Sequence, residues 1–152
     1  MLEKLITSDT YQYTETDLDW KEAIRYASEP LLAKGYITNK YIEKMIDNVE
    51  KLGPFIYLGK GIAIPHARPE FGVNETSMSV LRVKKPVLLL NDSEYAIKTF
   101  IVLAAGDNDK HLEALKQLTN ILTVDKYVEK INNSNNFSDI EIILKENNGE
   151  EE

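Results

Sequence analysis

The sequence predicts one domain in which helices cover a β-sheet, an α/β or α+β arrangement. Three observations carry this expectation. TFIVLAA (Thr99 to Ala105) is a continuous apolar run of strand length, as expected for a strand buried on both faces. SMSVLRV (Ser77 to Val83) alternates instead, with Met78, Val80 and Arg82 on one side and Leu81 and Val83 on the other. Interleaved with these strands are segments of helical periodicity, the clearest carrying Leu112, Leu115, Leu118, Ile121 and Leu122 as its apolar stripe.

The remaining elements follow in order. YQYT (Tyr11 to Thr14) reads as a short edge strand, and either Asp17 or Asp19 can cap the helix that follows. Trp20, Ala23, Ile24 and Ala27 form that helix's apolar face. Pro30 lacks an N–H and crowds the preceding turn, so a kink or break is expected there, and Gly35 suits the end of whatever follows. Thr38 or Asn39 opens a second helix with Tyr41, Ile42, Met45, Ile46 and Val49 on one stripe, stopped by Gly53-Pro54. FIYL (Phe55 to Leu58) and GIAI (Gly61 to Ile64) read as short strands around a Gly59-Lys60 turn. GDND (Gly106 to Asp109) leads into the leucine-striped helix. DKYVEKI (Asp125 to Ile131) is a short helix, and SDIEIILKE (Ser138 to Glu146) is the last, with Ser138 as cap and Glu141 three residues on. The polar, acidic end, KENNGEEE (Lys145 to Glu152), is expected to fray.

Composition narrows the function classes. With 152 residues the chain fits a single domain that can bury a proper core. It has no cysteine, which removes disulfides, zinc–thiolate sites and thiol catalysis. The N-terminal stretch MLEKLITSDTYQYTETD has no apolar run of signal-peptide length, and no apolar run spans a bilayer, so a cytoplasmic location without membrane insertion is expected. The net charge of −7 argues against nucleic acid, which needs a concentrated basic surface, and would suit a basic protein partner. The same charge also serves plain solubility. Tyr11 and Tyr13 on the expected edge strand suit either a homodimer contact or a solvated edge.

The chemistry gathers around the chain's two histidines. In GIAIPHARPEFG (Gly61 to Gly72), Pro65 pushes Ile64 and Pro69 pushes Arg68 into extended conformations. Residues two apart on an extended chain share a side, so His66 and Arg68 are expected on one face, with the small Ala67 turned away. A neutral imidazole is a nucleophile at pH 7, and a guanidinium matches phosphate oxygens with a planar fork of donors. Phosphoryl transfer asks mainly for such positioning and charge. His111 precedes Leu115, Leu118 and Leu122 by four, seven and eleven residues, which puts it on the apolar face in the first turn of its helix. Helix N-termini attract anions, so His111 is placed to hydrogen-bond a phosphate held by His66. The same residues also fit a turn histidine with a solvated arginine and a satisfied core histidine. No phosphate-binding loop, dinucleotide fingerprint or serine nucleophile elbow is present. Both histidines with Asp107 or Asp109 could ligate a metal, but no ligand motif supports it, and neither metal nor cofactor is expected.

LGKGIAIPHARPEFGV (Leu58 to Val73) resembles the active-site signature of enzyme IIA components of the bacterial phosphoenolpyruvate-dependent sugar phosphotransferase system, in its mannitol/fructose branch. The HARPE-x-GV form, preceded by Gly53-Pro54, is most similar to the ascorbate-type members. IVLAAGDNDKHLEALKQLTNIL (Ile101 to Leu122) resembles the family's strand, loop and helix carrying a second histidine. With the flanking helices the resemblance runs from residue 15 to residue 145, and it implies one domain over 1–145 followed by an acidic tail at 146–152.

The resemblance implies a three-layer α/β/α sandwich around a mixed sheet. It implies a phosphotransferase in which His66 accepts a phosphoryl group from the phosphocarrier protein HPr and passes it to a cysteine of the cognate IIB component. It gives His111 the role of supporting the phosphate without being phosphorylated. The lack of cysteine and of a spanning segment agrees with a stand-alone IIA rather than a IIB or the permease. Mannitol-type relatives carry an upstream arginine near the end of the second helix. Here DNVEKLGP (Asp47 to Pro54) has none, leaving Lys51 or, by its expected place beside His66, Arg68 as the phosphate clamp. Glu70 is expected among the acids ringing a docking patch around His66, and Phe71 suits either that patch or packing of the turn. Transport of a sugar or sugar acid, ascorbate-type favoured, is the implied role. A regulatory IIA-like domain is the alternative, and a hydrolase using His66, His111 and Asp107 is a third reading.

Overall fold

Five strands form one open mixed sheet in the order β1-β4-β5-β3-β2. In a computed structural model, which describes residues 1–147, they are β1 (Tyr11–Thr14), β2 (Tyr57–Gly59), β3 (Ile62–Ala63), β4 (Ser77–Leu88) and β5 (Ala96–Ala104). β4 and β5 pair antiparallel at the centre. β1 joins β4 parallel, β3 joins β5 parallel, and β2 folds back antiparallel on β3. Among the described residues six α-helices cover the sheet: α1 (Leu2–Leu5), α2 (Trp20–Ala33), α3 (Asn39–Leu52), α4 (Asn108–Leu122), α5 (Asp125–Asn132) and α6 (Ser138–Glu146).

The pleat of β5 divides the interior into two cores. Phe100, Val102 and Ala104 face one side, where α2 and α3 pack with Ile24, Leu31, Tyr41 and Met45. Ile101, Leu103 and Ala105 face the other, against Leu118 and Ile121 of α4, Val128 of α5 and Ile143 of α6. The alternation in SMSVLRV holds, with Met78 and Val80 in the second core and Leu81 and Val83 in the first. The result is an α/β/α sandwich, the three-layer arrangement that the resemblance implied.

Pro30 does not break its helix: α2 runs through it to Ala33. A proline there removes the N–H that would have reached the carbonyl four residues back, that of Tyr26. Gln12 on β1 supplies the missing donor, its Nε2 lying 2.8 Å from Tyr26 O. Asp19, rather than Asp17, caps α2 and forms a reciprocal capping box with Glu22.

Other elements differ in extent. β4 continues past Val83 through Lys84, Lys85 and Pro86 to Leu88. The ladder shifts register between Arg82 and Val87, and that irregularity accommodates a proline inside a strand. The strand expected over FIYL begins only at Tyr57, leaving Phe55 in the loop before it. α6 starts at Ser138, but Ser138 is not its cap. Asn136 Oδ1 accepts from Asp139 N at 3.1 Å and from Ser138 Oγ at 2.6 Å. Of the tail expected at 146–152, Glu146 closes α6 and Asn147 follows in a turn, while 148–152 lie outside the described residues. β1 is an edge strand, yet Tyr11 turns inward, its hydroxyl 2.7 Å from Ser134 Oγ and its ring against Phe137. That removes Tyr11 from any contact along the outer edge.

Candidate functional site

The site forms where the chain leaves β3. Beyond Ala63 the backbone stays extended beside β5, with Leu103 N donating to Pro65 O at 3.0 Å. His66 follows, half-buried, and its Nδ1 lies 2.8 Å from Ile64 O. A carbonyl oxygen only accepts, so Nδ1 carries the ring proton and the lone pair is on Nε2. The Phe55 ring meets the imidazole edge-on at 5.4 Å, and the His111 ring lies 5.2 Å away, centre to centre.

Ala67 is turned inward and buried, as the two-residue period required, while Arg68 returns to the surface. A single turn at Pro69–Phe71 closes the loop, and Gly72 brings it against the start of α3. Gly72 has φ +137°, and a Cβ there would lie 2.1 Å from the Oγ1 of Thr38, the residue that caps α3. Gly72→Ala is therefore expected to destabilise the fold by about 1–3 kcal/mol, read as a lower urea midpoint at unchanged slope. An unchanged midpoint would show that the loop has room to move.

His111 arrives from the opposite layer. Asp107 caps α4 by accepting from Lys110 N at 2.8 Å, and His111 completes the first turn with its N–H 3.1 Å from Asp107 O. His111, Ala114, Leu118 and Ile121 share one helical face, so the ring points along the buried side. Burial first, and the neighbouring His66 second, push the His111 pKa below its ordinary value. Leu112, expected on the apolar stripe, is instead 66% exposed. It stands two residues, or about 200°, from Ala114 around the helix.

These parts enclose an open cleft of about 500 Å³. His66, Arg68, His111 and Asn108 line it, with Lys44, Asn48 and Leu52 of α3 on one wall and Phe55 and Phe71 on the floor and rim. His66, His111 and Arg68 are thus brought to one place. Arg68 Nε lies 3.2 Å from Glu70 Oε2, but the two side chains are 78% and 59% exposed, so the pair is weak and the guanidinium is free to turn to an anion. Lys51 does not reach the cleft and pairs with Asp47 at 3.1 Å. Lys44, one turn before Asn48, supplies the cation of that wall, its Nζ 4.6 Å from the centre of the Phe71 ring. Sequence reasoning missed Lys44, Asn48 and Asn108. Their position on the same helices as the striped residues was visible, but not which of their faces meets His66.

The Asp107 carboxylate caps α4 through one oxygen and is not among the residues lining the cleft. Among the described residues no three His, Asp or Glu side chains come together as a metal site, and no helix is long and apolar enough to cross a membrane.

The family described as "Phosphoenolpyruvate-dependent sugar phosphotransferase system, EIIA 2" matches residues 4–147. The chain belongs to this family. Its members are phosphotransferases of sugar transport that act through a phosphohistidine, and so is this chain. Among its relatives is the mannitol-specific cryptic phosphotransferase enzyme IIA component of Escherichia coli K12, 37% identical over 113 residues, 74% of this chain and 76% of that protein. The ascorbate-specific EIIA component of the same strain is 30% identical over 113 residues, covering 74% and 73%. The solution structure of the E. coli mannitol-specific cryptic enzyme IIA superposes with a TM-score of 0.86 at 30% identity, covering 95% of this chain and 98% of that one. The E. coli mannitol IIA, solved in complex with phosphorylated mannitol IIB, gives a TM-score of 0.80 at 26% identity over 93% and 99%.

Proposed function

We propose that His66 is the phosphoryl carrier of this chain, that phospho-HPr loads it, and that a cysteine of a cognate IIB component unloads it. The observation that carries this is the Nδ1 bond to Ile64 O, which leaves Nε2 as the free nucleophile in a cleft shared with His111, Arg68 and Lys44. In loading, the Nε2 lone pair forms a bond to phosphorus as the donor's P–N bond breaks, and the donor imidazole leaves with its electron pair. In unloading, a IIB thiolate forms P–S as the Nε2–P bond breaks, and His66 returns to its neutral Nδ1–H form. His111 and the first turn of α4 face the phosphoryl oxygens, and Arg68 and Lys44 add positive charge.

The rim suits a protein partner. Leu52 and Phe55 line the cleft and are 71% and 40% exposed, and Leu112, next in the chain to His111, is 66% exposed. Glu70, Asp107 and Asp109 are exposed at neighbouring positions. An apolar patch with an acidic border fits a small, transient interface with a basic protein. Leu112→Asp is expected to leave stability within about 0.5 kcal/mol of wild type while raising the half-saturating HPr concentration roughly tenfold, a loss of about 1–2 kcal/mol of docking. Unchanged saturation would remove Leu112 from the interface.

The carrier works in the cytoplasm for uptake of a sugar or sugar acid, an ascorbate-type substrate being the first to try. The HARPE-x-GV block and the ascorbate-specific relative support that choice, and the mannitol-specific relative makes mannitol the control. The test is intact mass after incubation with phosphoenolpyruvate, enzyme I and HPr, followed by addition of ascorbate-type or mannitol-type IIB. One added phosphoryl group that is lost to IIB is expected. Loading without transfer to any IIB would favour a regulatory IIA instead, and no loading would defeat the proposal.

A further inference from the structure

Tyr41 of α3 is fully buried beneath the cleft, and neither loading nor unloading as described uses it. Its hydroxyl has three partners: Ala67 N at 3.0 Å, Ala67 O at 3.0 Å and Leu103 O at 3.1 Å. The geometry of the sheet gives these contacts a meaning. β3 and β5 run parallel with Ile62 opposite Thr99 and Ala63 opposite Phe100. Continuing that register places His66 opposite Leu103. A parallel rung there consists of two bonds, Leu103 N–H to the carbonyl of residue 65 and the N–H of residue 67 to the carbonyl of Leu103.

The first bond is made, at 3.0 Å. In place of the second, Ala67 N–H donates to the Tyr41 hydroxyl, which lies within donating distance of Leu103 O. The hydroxyl has one proton, so it serves the Leu103 and Ala67 carbonyls in turn while always accepting from Ala67 N. A side chain from another layer is thus inserted into the ladder at the residue opposite His66. Two residues past Leu103 the strand gives way to the loop that caps α4 and delivers His111.

We infer that Tyr41 is a positioning residue for phosphoryl transfer: its hydroxyl replaces a sheet rung, splays the chain from β5 at His66, and ties the His66 segment to the strand leading to His111. The inference rests on His66 being the carrier. Burial pushes the Tyr41 pKa up to about 12, so the hydroxyl keeps its proton throughout the working pH range. With Ala67 N–H held on Tyr41, the His66 backbone is fixed where Nδ1 reaches Ile64 O. Without it, Ala67 is left unpaired or moves in to close the rung on Leu103 directly, and either change turns the imidazole.

Tyr41→Phe keeps the ring and removes only the hydroxyl. Its rate of phosphoryl transfer should fall on the order of 10- to 100-fold, the scale of an ångström-sized misplacement. Imidazole ¹⁵N spectra of the unphosphorylated variant should show His66 losing its Nδ1–H tautomer preference, which a loss of global stability alone would not produce. Wild-type transfer with unchanged His66 resonances would overturn the inference. The hydroxyl proton of Tyr41 in the wild-type protein gives a second measurement that does not depend on the variant folding. It should exchange slowly with solvent and show a contact to the Ala67 amide, and fast exchange would overturn the inference as well. Should the wild type never accept a phosphoryl group, the carrier proposal fails and the transfer role of Tyr41 with it, while the ¹⁵N and exchange measurements still decide whether Tyr41 holds the His66 ring.

Discussion

His66→Ala is expected to abolish phosphoryl loading completely, with no added mass after incubation with phosphoenolpyruvate, enzyme I and HPr. The chain has two histidines and no cysteine, so few groups can form a transferable phosphoryl linkage. Of the two, only His66 combines a fixed Nδ1–H with a place at the cleft beside the apolar rim. His66 is also only half-buried, so the alanine variant should remain folded and soluble. Retention of loading by the variant would move the carrier to His111 and reverse both assignments.

His111→Ala has the second largest effect, in a different place. Loading should persist, because His66 keeps its nucleophile and Arg68 and Lys44 remain in the cleft. Onward transfer to IIB should fall on the order of 10²- to 10³-fold, the usual loss when one preorganised donor facing a developing charge is removed. Single-turnover transfer from the phosphorylated variant measures this directly, and an unchanged rate would make His111 a packing residue.

The protonation of His111 gives an independent check. Its folded-state pKa is lowered by burial and by His66, so the unfolded chain binds a proton more readily. Stability therefore rises with pH across the interval between the folded value and the ordinary value near 6.5. As pH falls through 6.5 the folded state is progressively penalised, and His111→Ala should lose that part of the pH dependence. A phosphoryl group on His66 places negative charge beside His111, so phosphorylation should raise the His111 pKa. Titration of His111 by NMR before and after loading reads both effects.

Most of the architecture was legible because burial periodicity is strong in this chain. TFIVLAA has the length and the unbroken apolar run of a strand covered on both faces, and the α3 stripe from Tyr41 to Val49 is fully buried as spaced. What misled was chemistry satisfied from a distance. Pro30 reads as a helix breaker until Gln12, on another element, is found bonded to the carbonyl it orphans. Leu112 reads as core because leucines repeat around it, but the face of α4 is set by Ala114, Leu118 and Ile121. Within the site, His66, Ala67 and Arg68 follow from local extension alone. Lys44 in place of Lys51, and Tyr41 beneath His66, depend on the angle at which α3 crosses the sheet, which no local pattern records.

The two histidines are carried by different elements of the sandwich, the sheet edge and α4, and that division has a kinetic reading. The His66 segment is anchored through Ala67, which packs in the core of α2 and α3 and is held by Tyr41, whereas His111 rides on α4 in the other core. Native proteins open in cooperative units rather than all at once. An excursion that lifts α4 from the sheet would withdraw His111 while His66 stays hooked to Ile64. On the roles proposed for the two rings, that state would act as a capacitor that charges but discharges slowly. How long each phosphoryl group resides on the carrier is then governed by how firmly one helical layer is seated, a quantity that substitutions far from either ring can tune.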